Sequence, residues 1–254
     1  MTNEWEQKKM IVEIGRRIWQ RGYVAANDGN ITVRLNEKEI LTTPTGVSKG
    51  FMTQDMIIKL DMNGKVLTPN SKFRPSSEVK MHLEVYAQRE DINAVIHTHP
   101  PHCTSFAVAG IPLDKCVLPE AVITLGAVPI APYGTPSTRE IPDSIKPHIQ
   151  NSDAVLLANH GALTLGVDLV TAYHRTETLE HTAYITFLSI QLGNVNMIPG
   201  PEVDKLMTIR DRMNIPGRVQ ACAVPGQKQN EPTEKQVEDI TRKVLEKLAV
   251  HNGQ

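Results

Sequence analysis

Apolar residues at two different spacings divide the chain into helices and strands. From about Glu4 to Arg21, Ile11, Ile14 and Ile18 recur at helical spacing, and Gly22 ends the run. The stretch AANDGNITVRL then changes period: Asn27, Asp28 and Gly29 predict a turn, and Ile31, Val33 and Leu35 alternate as in a strand. A second strand, EILTTPTG, ends in the small-residue turn Thr43, Pro44, Thr45 and Gly46. FRPSSEVKMHLEVY predicts a helix after Pro75, with Val79, Leu83 and Tyr86 on its apolar face. The run from Ile92 to His99 reads as a strand stopped by Pro100 and Pro101. Residues 103–136 mix short apolar runs with Gly and Pro and predict strands and tight loops. IPDSIKPHI reads as a short helix, and Asp153 to Asn159 as an apolar strand closing on His160 and Gly161. The longest helix is predicted from about Asp168 to Leu192, ended by Gly193.

The last part has a different character. Val219 to Pro232 is rich in Gln, Gly and Pro without apolar periodicity, which reads as a linker. In TEKQVEDITRKVLEKLAV, Thr233 and Gln236 fit a capping box, and Val237, Ile240, Val244, Leu245 and Leu248 form one apolar stripe. A helix this short is marginal alone and calls for a partner surface.

Composition narrows the class. In 254 residues with 40% hydrophobic content there is material for one substantial core. Lys plus Arg number 27 and Asp plus Glu 28, so bulk charge suggests neither a nucleic-acid nor a membrane surface, and any anion site must be local. The charged N-terminus and the lack of a long apolar run lead to an expectation of a cytoplasmic protein. Three cysteines, Cys103, Cys116 and Cys222, without C-x-x-C spacing indicate neither a disulfide framework nor a cysteine zinc site; Cys103 reads as a small buried side chain.

Candidate chemistry centres on AVIHTHPPHC. Residues two apart share a strand face, so His97 and His99 can present two imidazoles to one point, and neutral imidazole is a common ligand of zinc and its neighbours. His160 repeats the pattern at another strand end. Ser76 and Ser77 precede a helix N-terminus, where unpaired N–H groups favour an anion, and Glu78 is a carboxylate at the same place. A capping role would explain Glu78 equally well. His82, four residues on, makes Glu78–His82 a rival metal pair. On the long helix Glu177 and His181 are a further pair at metal spacing that a solvated face explains as well, while one of the acids there can instead orient a ligand histidine.

Taken in order, DGNITVR, TPTG, PSSE, HTHPPHC and NHGAL resemble the class II aldolase/adducin family, closest to its L-fuculose-1-phosphate aldolase branch. The resemblance implies an α/β fold of three layers, α/β/α, with a central mainly antiparallel sheet, over residues 1–218, followed by the linker 219–232 and the helix 233–250. It implies one Zn²⁺ per subunit on His97, His99 and His160, with Glu78 completing the resting shell and then acting as base. It places the substrate phosphate on Gly29, Asn30, Thr45, Gly46, Ser76 and Ser77. The implied reaction cleaves L-fuculose 1-phosphate, or a similar 6-deoxyketose 1-phosphate, to dihydroxyacetone phosphate and L-lactaldehyde. A ketone with a neighbouring hydroxyl can chelate the cation, which stabilises the enediolate left by bond cleavage.

The family's tyrosine proton donor has no counterpart in VLPEAVITLG; Glu120 is the nearest ionisable group there, with Tyr133 a second choice. The resemblance further implies a cyclic homotetramer, and the tail resembles the encapsulation peptides of bacterial microcompartment cargo, with shell or cargo proteins as partners. Alternatives within the family are an L-ribulose-5-phosphate 4-epimerase, an L-rhamnulose-phosphate aldolase and a non-catalytic adducin-like interaction module. The last expects the ligand histidines to be missing, whereas all three are present.

Overall fold

Ala94–Thr98 (β4) forms the middle strand of a seven-stranded sheet and is buried along its whole length. The computed structural model describes residues 3–69 and 72–224. Before β4 come α1 (Glu4–Gln20), β1 (Asn30–Arg34), β2 (Glu39–Thr42), β3 (Ile58–Asp61) and α2 (Val79–Gln88). After it come α3 (Pro101–Ala109), α4 (Pro119–Thr124), β5 (Ile130–Ala131), α5 (Glu140–Ile149), β6 (Ala154–Leu157), β7 (Gly161–Gly166), α6 (Leu169–Gln191) and α7 (Gly200–Arg212). The sheet order is β3-β2-β1-β4-β7-β6-β5, and every pairing is antiparallel except the parallel β5–β6 pair at one edge. It is thus the α/β fold with a mainly antiparallel sheet between helices.

Strand alternation sorts the side chains into cores on the two faces. Val95, Val155, Leu163 and Leu165 pack with α2 and α5 through Val85, Ile145 and Ile149. Their neighbours Ala94 and Ile96, with Ile31 and Val33, pack with α1 through Ile11, Ile14 and Ile18 and with the start of α6. Farther along, Leu156 and Ala162 meet α3 and α6 through Phe106, Leu179 and Ala183. Because both faces are covered, β1 is not half-exposed as its alternation predicts: Thr32 is as buried as its apolar neighbours, its hydroxyl bonded to His82 Nδ1 and Tyr86 OH, each at 2.8 Å.

Several expectations change. Residues 103–136 hold two helices, α3 and α4, rather than strands and loops throughout. Pro101 and Pro119 each open a helix at a first-turn position, where the missing N–H costs nothing. Cys116 and Cys222 are joined in a disulfide across 106 residues with Cα atoms 5.4 Å apart, correcting the expectation of unpaired cysteines; Cys103 is free and buried as expected. The first residues of the 219–232 stretch do not behave as a tether. Gln220 accepts from Ala127 N at 3.0 Å, Ala223 N donates to Asp114 at 2.6 Å, and Cys222 and Val224 pack with Val122. The predicted helix 233–250 lies outside the described residues. Among the described residues no helix is long and apolar enough to cross a membrane.

Candidate metal and substrate site

Register brings the site together. In the antiparallel pair β1–β4, Asn30 lies opposite His97, and β4–β7 places Leu163 opposite His97 on the other side. His97 shares the Val95 face of the sheet, the one covered by α2, so it meets Glu78 at the N-terminus of that helix. His99 sits just past the strand, its N–H bonded to Tyr23 O at 2.9 Å. His160 lies in the β6–β7 turn after Asn159, which has positive φ (55°), and its N–H donates to Leu157 O at 3.0 Å. The three rings converge, with centroids 4.8 Å (His97–His99), 4.7 Å (His97–His160) and 5.0 Å (His99–His160) apart. One ligand atom from each lies within 4.8 Å of the others.

The hydrogen bonds fix how the rings present themselves. His97 Nδ1 donates to the Ala162 carbonyl at 2.9 Å, so neutral His97 carries its lone pair on Nε2. His99 Nδ1 faces Asp28 Oδ2 at 3.4 Å, which favours the same tautomer. The two Nε2 atoms then meet at 3.0 Å, lone pair against lone pair, an arrangement that a cation relieves. Burial pushes the His97 imidazole down to about 3 against the pull of Glu78, and burial with the neighbouring His160 lowers His99. Both rings are therefore neutral at pH 7, each with a lone pair available to a cation. His160 Nδ1 is a buried atom with no partner. Two opposed lone pairs, an orphaned ring nitrogen and a carboxylate fit a divalent cation held mainly by nitrogen.

Glu78 belongs to this cluster. Its Oε1 is 3.0 Å from His160 Nε2, its Oε2 is 3.7 Å from His97 Nε2, and Asn30 Nδ2 donates to Oε2 at 2.9 Å. Although it occupies the cap position of α2, its side chain makes no capping bond, which removes the capping explanation. Burial raises its pKa, but the hydrogen bond from His160 and the positive charge that the imidazole cluster takes up in acid outweigh this and hold the carboxyl well below its usual range. The rival pair dissolves: His82 is fully buried, bonded to Thr32, and pushed down to about 3 by burial.

Two glycines permit the approach of the backbone to the rings. A Cβ on Gly161 would lie 2.5 Å from both Thr98 O and His99 Cδ2; one on Gly29, at φ 73°, would lie 2.8 Å from His97 O. Gly161→Ala must therefore displace the β4 end that carries His99. Affinity for a divalent cation, measured by chelator competition, is expected to fall about ten- to a hundredfold, as when a group holding a ligand imidazole is lost. An unchanged affinity would show that the rings do not depend on this close packing.

The three predicted turns also meet. Thr43 N and Oγ1 bond to Ile31 O and N at 3.0 and 3.1 Å, Thr45 N donates to Arg74 O at 2.9 Å, and Pro44 bridges to Pro75. Thus Gly29 and Asn30, Thr45 and Gly46, and Ser76 and Ser77 lie on neighbouring turns beside Glu78. Ser76 Oγ accepts from Glu78 N at 3.2 Å, and Ser77 Oγ is 2.7 Å from Ser137 Oγ on the loop before α5.

Glu120 stands apart from this cluster. It is exposed on α4 and lines a cleft of about 640 Å³ with Tyr23, His102, Glu180, His181 and Tyr184. Tyr133 is exposed as well. Glu177 is taken up by Tyr173 OH at 2.6 Å and by Arg21 rather than by His181. The acid of α6 that touches this region is Glu180, and it orients no ring of the triad. Its carboxylate accepts from His102 N (3.1 Å), His102 Nδ1 (2.7 Å) and Cys103 N (2.9 Å), capping α3 directly after His99. Asp28 beside His99 and the Ala162 carbonyl on His97 are contributors that the sequence does not announce.

Residues 9–187 match the family described as Class II Aldolase and Adducin N-terminal domain. An L-fuculose phosphate aldolase of Methanococcus maripaludis (strain S2) is 36% identical over 177 residues, covering 70% of this chain and 94% of the relative. A 3-oxo-tetronate 4-phosphate decarboxylase of Haemophilus influenzae is 31% identical over 204 residues, covering 79% and 95%. A solved L-fuculose 1-phosphate aldolase superposes with a TM-score of 0.74 at 28% identity, covering 80% of this chain and 95% of that one. With the motifs in order, the fold in common and the histidine cluster in place, the chain belongs to the class II aldolase/adducin family, as one of its lyases.

Proposed function

We propose that this protein is a zinc-dependent aldolase that cleaves a 6-deoxyketose 1-phosphate, L-fuculose 1-phosphate first among them, to dihydroxyacetone phosphate and L-lactaldehyde. The observation that carries this reading is the Glu78 carboxylate set between His160 and Asn30, at the mouth of three converging imidazoles and beside three turns suited to a phosphate. His97, His99 and His160, with Glu78, would hold the cation; nitrogen-rich donors favour zinc over magnesium or calcium. When bound, the cation supplies Lewis-acid polarisation of the ketone and neutralises the charge left when the carbon–carbon bond breaks. The chain's own residues do the rest. Asn30 holds one Glu78 oxygen, so the carboxylate is aimed before substrate arrives. In the synthetic direction Glu78 removes the proton next to the ketone of dihydroxyacetone phosphate; in cleavage it returns it. The backbone of Gly29, Asn30, Thr45 and Gly46 and the hydroxyls of Ser76 and Ser77 receive the phosphate. Glu120 serves the aldehyde oxygen as acid from the neighbouring cleft.

The Haemophilus influenzae relative favours a second reading, decarboxylation of a 3-oxo-tetronate 4-phosphate at the same residues. Assays on purified zinc-loaded protein separate them. Release of dihydroxyacetone phosphate from L-fuculose 1-phosphate supports the aldolase. Carbon dioxide and triose phosphate from the oxo acid, or interconversion of L-ribulose 5-phosphate, with no dihydroxyacetone phosphate released from L-fuculose 1-phosphate, overturns it.

We read the assembly as a homotetramer. Val108 on α3 and Ile111 just after it, with Phe187 and Ile190 on α6, are exposed apolar side chains that a subunit contact would cover. The 233–250 segment is assigned the recruitment of microcompartment shell proteins. A chain truncated after residue 225 keeps Cys222 and is expected to retain full aldolase activity while losing co-sedimentation with shell protein; recruitment that survives the truncation removes this role.

A further inference from the structure

Lys49 is a buried cation that forms no ion pair among the described residues. Its side chain is only 2% exposed, and it lies in the short 3-10 turn Lys49–Phe51 that packs on α1. Gly15 makes this packing possible, since a Cβ there would come within 3.0 Å of Lys49 O. The ammonium donates to two carbonyls, Asn27 O and Val47 O, each at 2.9 Å, and an ammonium has three donors. Among the described residues no carboxylate forms an ion pair with it. Burial pushes it down to about 8, and the more distant Asp28 and Glu78 only partly oppose this. Buried charges in folded proteins are normally paired, because leaving one unpaired is costly.

The two carbonyl partners locate the missing charge. Asn27 belongs to the turn that leads into Gly29 and Asn30, and Val47 directly follows Thr45 and Gly46. The ammonium thus ties together, from behind, two of the three turns assigned to the substrate phosphate. We infer that Lys49 is the positioning and specificity residue of this cradle, a positive charge held under the turns so that they select a phosphate dianion. The inference rests on the phosphate reading given above. It differs from a purely mechanical brace: a brace needs only a hydrogen-bond donor at this place, whereas selection of a dianion needs the charge.

The test is inorganic phosphate binding, measured by titration calorimetry at constant ionic strength on the full-length, zinc-loaded protein. Lys49→Met is expected to bind phosphate about ten- to a hundredfold more weakly, the range of a lost hydrogen bond to a charged group. Lys49→Arg should recover part of the affinity and Lys49→Gln none, with zinc content unchanged in all three. Wild-type affinity in Lys49→Met, or equal rescue by Gln and Arg, overturns the inference. Should the variants fail to fold, the wild type decides. With ¹⁵N-labelled lysine, saturating phosphate must shift the ammonium signal protected from solvent exchange, and no shift overturns the inference. If the wild type binds no phosphate at all, the cradle itself is misassigned, a result distinct from failure of the Lys49 role.

Discussion

Glu78→Gln is expected to lower kcat by about two to four orders of magnitude, the range associated with loss of a positioned general base, while zinc content and phosphate affinity stay near wild type. The amide keeps the size of the side chain and can still accept from Asn30 Nδ2 on its oxygen. What it cannot do is take a proton. Because Glu78 lies 3.0 Å from His160 and 3.7 Å from His97, a fall in kcat alone could reflect a damaged cation site. Exchange of the C3 proton of dihydroxyacetone phosphate with deuterated water resolves this. It needs no aldehyde, so it reports proton abstraction directly, and it should fall in step with kcat. Near-normal exchange in a folded, zinc-loaded variant would remove Glu78 from the base role.

His160→Ala is expected to abolish stoichiometric zinc binding and to reduce cleavage by about three orders of magnitude or more, since the cation supplies several kcal/mol of transition-state stabilisation. Of the three rings it is the one on the β6–β7 turn, and its Nδ1 is buried without a partner. Replacing it should cost less stability than replacing His97, which is completely buried and bonded to the β7 backbone. Metal analysis after dialysis against a weak chelator is the measurement. Full zinc occupancy in a folded His160→Ala protein would break the three-histidine reading. His82→Gln is the matching control, because His82 faces Thr32 and not the cluster: it should lose stability and keep its zinc.

The side chains that meet in the candidate site were legible in the sequence because their types and spacing are unusual. H-T-H at a strand end, N-H-G after an apolar run and S-S-E before a helix announce His97, His99, His160 and Glu78. The groups that aim them were not legible. The Ala162 carbonyl fixes the His97 tautomer, and a backbone acceptor has no residue signature. Lys49 in SKGF reads like any surface lysine, because nothing local shows that α1 will close over it. Glu180 sits on a long helix among other charged residues, and only the packing of α3 on α6 shows which acid turns inward. Helix α3 was missed because the Pro100–Pro101 pair reads as a stop; Pro101 in fact starts a helix whose apolar run, too short for a clear period, resembles a strand. The Cys116–Cys222 pair escaped because its partners are 106 residues apart.

The antiparallel pairing of β4 with β7 has a consequence for the order in which the protein matures. Two of the imidazoles reside on one segment and the third arrives some sixty residues later, when the hairpin bearing Gly161 slides in beside it. Such distant pairings form late, because closing a long loop precedes the contacts that reward it. A partly synthesised chain that ends before this hairpin therefore has two imidazoles and an acid but no complete chelating pocket. On the three-histidine reading, capture of a cation would follow closure of the sheet rather than seed it.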